Sequence, residues 1–150
     1  MASYRDESDP GESFPAALFA TNTLFCPGCR AALREVSEVC PECGYSGASA
    51  VEKFPFSAPE LERFIDPDHH LAVEDCEKIG EVLNELGENY PQVRFSFCIV
   101  DLAETTDPRE FGFWLMNASP VRNSFEERLR PWTILVLIDH AHGRVSVTSG

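Results

Sequence analysis

Four cysteines stand in two pairs, Cys26-Pro-Gly-Cys29 and Cys40-Pro-Glu-Cys43, with ten residues between the pairs. A Cys-x-x-Cys turn aims two thiolates at one point, and a second turn across a short hairpin completes a tetrahedron. Four thiolates leave no coordination position open to water or substrate, so a metal held this way serves structure. The segment 23–47 therefore reads as a zinc ribbon with Cys26, Cys29, Cys40 and Cys43 as ligands. Iron also suits four thiolates. A pair of disulfides would need an oxidising compartment, and a redox dithiol has no use for a second pair folding onto it. Pro27 and Pro41 stiffen the turns, and Gly28 and Gly44 are expected to supply positive φ angles and close backbone approach. So short a span cannot bury enough apolar surface to fold alone. Metal binding would supply the folding free energy, on the order of 10–16 kcal/mol in zinc-finger peptides.

A second group of chemically capable residues is carboxylic. Asp101 and Asp139 each sit where an apolar, β-rich run gives out. If those two strands are parallel neighbours joined by a helix over 108–117, both side chains emerge at one sheet edge, where α/β folds place ligands. Asp66 can join them from the preceding loop. Three carboxylates form a cation site for Ca²⁺ or Mg²⁺. The competing and commoner role of a strand-end aspartate is a local hydrogen bond that starts a loop. His140 and His142, beside Gly143, invite a metal reading but suit a hairpin tip. In Asp66-Pro-Asp-His-His70, Asp68 or His70 falls near a helix N-cap. The chain contains no Cys-x5-Arg loop, no G-x-S-x-G elbow and no P-loop, so phosphatase chemistry here would have to be metal-assisted.

Helices and strands that could position these residues are legible in the apolar pattern. Ser57-Ala-Pro-Glu60 has the form of a capping box and predicts a short helix through Phe64. From Leu71 to Asn89 the period is helical, with Cys76, Ile79, Val82, Leu83 and Leu86 on one face. A strand is expected over 93–102 and a second capping box, Asp107-Pro-Arg-Glu110, opens a helix to about Asn117. One further helical turn follows from Ser124. Trp132 to Asp139 is the most apolar run and reads as a central strand, followed by a tight turn and an alternating strand from Arg144. The order describes an α/β fold, an α/β/α layered sandwich around a mixed sheet, with the ribbon in front of it. The remaining divisions are a disordered tail over 1–22, a linker over 48–57 that continues the Ser46-Gly-Ala-Ser-Ala50 run, and an α/β domain over 58–150. With the linker separating two cores, Cys40→Ser is expected to spare residues 60–150.

The composition is globular, with 43% hydrophobic and 11% aromatic residues in 150. Twelve basic against 25 acidic residues leave a net charge of −13, which repels phosphate backbones and disfavours nucleic acid as a partner. No apolar run reaches the roughly 18 residues of a membrane span, and no leader pattern opens the chain. The expectation is a cytoplasmic protein. Cys76 and Cys98 lie in apolar patterns as buried thiols.

Residues from about 60 to 150 resemble the TPM domain family, known for thylakoid lumen and photosystem II repair proteins. The resemblance rests on Phe64-Ile-Asp66 with Leu71, Phe95-Ser-Phe-Cys-Ile-Val-Asp101, Phe111 to Leu115, Ile134-Leu-Val-Leu-Ile-Asp139, and Arg144-Val-Ser-Val with Gly150. The cysteine segment is similar to the small zinc ribbons that bacteria append to other domains. The resemblance implies an α/β/α sandwich, a phosphatase-like activity and association with membranes or membrane complexes. It departs at Arg130-Pro-Trp132, where family members carry an Asn-Gly type turn. The family domain also runs on past the glycine matching Gly150, so the domain is expected to be incomplete here. Two functions follow as expectations: a non-catalytic accessory module for a protein partner, including a membrane-associated one, or a metal-dependent phosphatase using the carboxylate edge.

Overall fold

The computed structural model describes residues 24–33, 37–120 and 122–150. The 1–22 tail lies outside them. Two short antiparallel strands, β1 (Leu24–Phe25) and β2 (Ala32–Leu33), carry the cysteine segment. They lead to α1 (Gly47–Lys53), β3 (Phe64–Ile65), α2 (Val73–Asn89), β4 (Arg94–Val100), α3 (Pro108–Ala118), α4 (Ser124–Leu129), β5 (Thr133–Asp139) and β6 (Arg144–Ser149). The main sheet has the order β3-β4-β5-β6. Its first three strands are parallel and β6 returns antiparallel to β5. This is the mixed α/β sheet that the apolar pattern predicts, and β4 and β5 are parallel neighbours with α3 as their crossover.

Alternation along β5 decides which face is sealed. Thr133, Leu135, Leu137 and Asp139 are buried, while Ile134, Val136 and Ile138 are only half-buried. Full burial of Leu135 and Leu137 contributes about 1.5–3 kcal/mol each. The buried face packs under α3, whose Trp114, Leu115 and Met116 belong to one core with Cys98, Leu135 and Leu137. α3 crosses β6 closely at Gly112, where a Cβ would meet the Thr148 Oγ1 at 2.7 Å. On the other side α2 packs against β4, with Leu83 beside Phe95, whose side chain alternates away from Ser96. Helices therefore cover both faces of β4. Among the described residues no helix is long and apolar enough to cross a membrane.

The N-terminus of α3 forms where expected: Asp107 accepts the Arg109 N–H at 2.9 Å, and Pro108 takes the first helical position. Glu110 does not close the capping box; it pairs with Lys53 of α1. Ser57 to Glu60 opens no helix either, since residues 57–63 run irregularly into β3. The reason is tertiary. Arg94 donates to the Leu61 carbonyl, Ser96 to the Glu62 carbonyl, and the Phe97 N–H to the Arg63 carbonyl at 3.0 Å, so this segment is drawn out along β4.

Residues 48–57 are not a linker in this structure. Ser46 caps α1 by accepting the Ser49 N–H, and Ala50 and Phe54 enter the same core as Trp114 and Leu115. Phe54 stands 5.3 Å from the Trp114 ring and 5.4 Å from Phe111 between centroids, and Tyr45 meets Phe113 edge-on at 5.7 Å. Such aromatic pairs add about 0.5–1.5 kcal/mol beyond their buried area. The cysteine segment and the sheet thus share one hydrophobic core. Phe54→Ala is expected to destabilise the whole chain by about 3–5 kcal/mol in a single urea transition; a transition that leaves the α/β region untouched would show that α1 is not part of its core.

Candidate metal centres

The two cysteine turns repeat one backbone arrangement. In the first, the Arg30 N–H donates to the Cys26 carbonyl at 3.0 Å and the Cys26 N–H to Ala31 at 2.9 Å. In the second, Gly44 donates to Cys40 and Cys40 to Tyr45, both at 2.9 Å. Each turn ends on a left-handed residue, Arg30 with φ 64° and Gly44 with φ 74°. Gly44 fills the role expected of it. Gly28 does not take a positive φ; its lack of a side chain admits Tyr45, whose ring carbon would lie 3.0 Å from an added Cβ. The Gly28 N–H points at the Cys26 sulfur, 3.3 Å away.

This geometry brings the four sulfurs together. Cys26 and Cys43 are 3.7 Å apart, Cys29 and Cys40 3.8 Å, and all four lie within 4.8 Å of one another. Four thiolates at about 2.3 Å from a tetrahedral ion are about 3.8 Å apart. The four cysteines could therefore hold one metal ion. Backbone hydrogen bonds, led by the Cys43 N–H, lower the Cys40 thiol to about 7. At Cys43 the Tyr45 N–H favours the thiolate, but desolvation and the neighbouring sulfurs outweigh it and push the group up to about 12. Four sulfurs this close can all ionise only when a cation neutralises them.

The second centre sits at the carboxyl ends of β3, β4 and β5. The β4–β5 register pairs Val100 with Asp139, and the His140 N–H donates to the Val100 carbonyl at 2.9 Å, extending the ladder. Asp101 and His140 consequently leave the sheet side by side, with His140 Nδ1 at 3.2 Å from an Asp101 oxygen. His70 Nε2 approaches the other Asp101 oxygen, also at 3.2 Å. The two imidazoles stack with centroids 4.1 Å apart. Asp66 holds the loop that delivers His70, accepting the His70 and Leu71 N–H groups at 3.0 and 3.2 Å.

Of the three carboxylates expected to converge, Asp139 goes elsewhere. It is fully buried and accepts from the Leu102 N–H at 3.1 Å, the Arg144 Nε at 2.7 Å and the His142 Nδ1 at 3.0 Å. Burial opposes its ionisation, but the Leu102, Arg144 and His142 hydrogen bonds prevail and hold its carboxyl below the usual range. Among the described residues, the groups that bring three or more metal-ligating side chains within 4.8 Å are the four cysteines and His70, Asp101 and His140. The histidine contribution was visible in the sequence as His70 and His140, but nothing in the pattern paired either with Asp101. Cys98 is buried as expected and burial pushes its thiol up to about 12; Cys76 is half-buried on α2. No family model, no curated protein and no solved structure matches this chain.

Two outcomes follow. Cys40→Ser should abolish metal binding at the cysteine site and, because Tyr45 and α1 share the main core, also lower the thermal midpoint of the α/β region. Elemental analysis with calorimetry checks both, and an unchanged α/β transition would restore the picture of separate units. The Asp139 carboxyl is lowered on folding, so its stabilisation is complete above about pH 4 and is lost as pH falls through the folded value. Asp139→Asn should cost about 3 kcal/mol at neutral pH and flatten the acid limb of a urea-denaturation series.

Proposed function

We propose that this chain is a zinc-stabilised, non-catalytic interaction module that docks a protein partner through the open apolar half of its sheet. Zinc is the ion this reading places among Cys26, Cys29, Cys40 and Cys43, because four closed thiolate positions suit a structural Zn²⁺ in a reducing compartment such as the cytoplasm. The observation that carries the reading is on the side of β5 and β6 away from α3. There Val145 and Val147 are 62% and 65% exposed, next to half-buried Val136 and Ile138 in the paired strand. Contiguous apolar side chains left in water on a rigid sheet fit a protein-interaction surface. The net charge of −13 favours a partner whose own apolar patch has a basic rim. The TPM resemblance of residues 60–150 points to partners in membrane-associated complexes.

The carboxylate-edge alternative, a metal-dependent phosphatase, draws on Asp101 standing between His70 and His140. One set of variants separates the two. A photo-crosslinking side chain at position 147 should yield a discrete complex that the same group at exposed Val82 on α2 does not. With the partner so identified and purified, Val145→Lys with Val147→Lys should weaken binding by at least ~10-fold, the loss of about 1.4 kcal/mol, at unchanged thermal midpoint. Equal affinity in that variant would reject the surface. Phosphate release from p-nitrophenyl phosphate that disappears in Asp101→Asn would reject the non-catalytic reading.

A further inference from the structure

We infer that His70, Asp101 and His140 form a second metal site, independent of the four cysteines, that takes a divalent first-row transition ion of the zinc class. This site stands whether the module is catalytic or not.

The distances fit an ion. Nitrogen and oxygen donors at 2.0–2.2 Å from zinc lie roughly 3.0–3.5 Å from each other. Both imidazole nitrogens are 3.2 Å from their own oxygen of Asp101, and one donor from each of the three residues falls within 4.8 Å of the others. A hydrogen-bonded bridge alone leaves one of these atoms unexplained. His70 Nε2 is shielded from water and lacks a hydrogen-bond partner, because it meets Asp101 at ion-pair distance but off the hydrogen-bond direction. A buried polar nitrogen without a partner calls for something that accepts its lone pair, and a metal ion does so.

The donor set selects the ion. Two imidazoles and one carboxylate suit zinc, iron, cobalt or nickel, whereas Ca²⁺ and Mg²⁺ require oxygen ligands. The expected calcium or magnesium site depended on Asp66, Asp101 and Asp139 together, and Asp139 is committed to Leu102, Arg144 and His142. The Arg144 guanidinium at the β5–β6 hairpin is neutralised on Asp139. Asp68 stands 3.7 Å from His70 Nε2 and adds favourable charge.

The surroundings are organised for the task. Asp66 locks the backbone at His70 and Leu71, and the β4–β5 ladder fixes Asp101 against His140. These supports determine where the donors point before any ion arrives. The His140 and Asp101 side chains are 54% and 47% exposed. Water or an exogenous anion can therefore complete the coordination, in contrast to the closed cysteine site.

The test titrates Co²⁺ into the tag-free 150-residue chain. Cobalt on four thiolates shows sulfur-to-metal charge transfer, whereas cobalt on nitrogen and oxygen shows only weak visible bands. The expected result is two ions per chain, the second without charge-transfer absorption and not displaced by Ca²⁺. His140→Ala, in an exposed turn, and His70→Ala should each abolish the second ion and retain the first. Asp66→Asn should weaken it about 10–100-fold through loss of support. His69→Asn, a neighbouring histidine outside the group, should leave two. Circular dichroism establishes that each variant is folded. A stoichiometry of one, or a second ion that persists in both His70→Ala and His140→Ala, overturns the assignment and leaves Asp101 hydrogen-bonded to His140 and at ion-pair distance from His70.

Discussion

A carboxylate taken completely out of water must be met by donors, and Asp139 at the end of β5 is met on three sides. The Leu102 N–H ties it to the exit of β4, and Arg144 and His142 tie it to the hairpin that turns into β6. One buried charge thus joins three consecutive features of the sheet. An unpaired charge in that position would cost several kcal/mol, so the hairpin residues have little freedom to do anything else. The arrangement also sets the character of the neighbouring surface. Arg144 is engaged by Asp139, and Asp101 and His140 face outward.

The two candidate metal centres follow opposite designs. The cysteine turns are near copies of each other, each closed by a left-handed residue and each with its sulfurs supported by backbone N–H groups. All four positions belong to the protein, and Tyr45 and α1 carry that rigidity directly into the Phe54–Trp114 core. The histidine–aspartate group comes from three distant segments at the carboxyl ends of parallel strands, where loops diverge and solvent reaches Asp101 and His140. A closed site contributes to folding and an open one to exchange with solution. A fold of this size gains from having the former, because so small a ribbon cannot supply its own core.

The apolar surface is also divided unequally. α1 and α3 seal the face bearing Leu135 and Leu137, and α2 reaches only the β4 side of the other. Val145 and Val147 are left to water at the edge of the sheet.

The sequence by itself determined the cysteine tetrad, the α/β class, the three main strands and the long helices, because these depend on local spacing and on periods of 2 and 3.6 residues. The Asp107 cap at α3 was legible for the same reason: its partners lie within two residues. Tertiary structure decided what depends on distant partners. Ser57-Ala-Pro-Glu60 carries the signature of a helix start, but the hydrogen bonds that Arg94, Ser96 and Phe97 make to residues 61–63 stretch the segment that follows beside β4. The stretch before it, opening on small residues, reads as a linker, yet Ala50 and Phe54 join the core of Trp114 some sixty residues away. The carboxylates show the limit most clearly. Both strand-end aspartates were identifiable, but the register that pairs Val100 with Asp139 puts Asp101 one residue further on. Side chains alternate across a strand, so that single step sends Asp139 into the core and Asp101 to the other face. Register is a property of two strands together, which no single stretch of sequence contains.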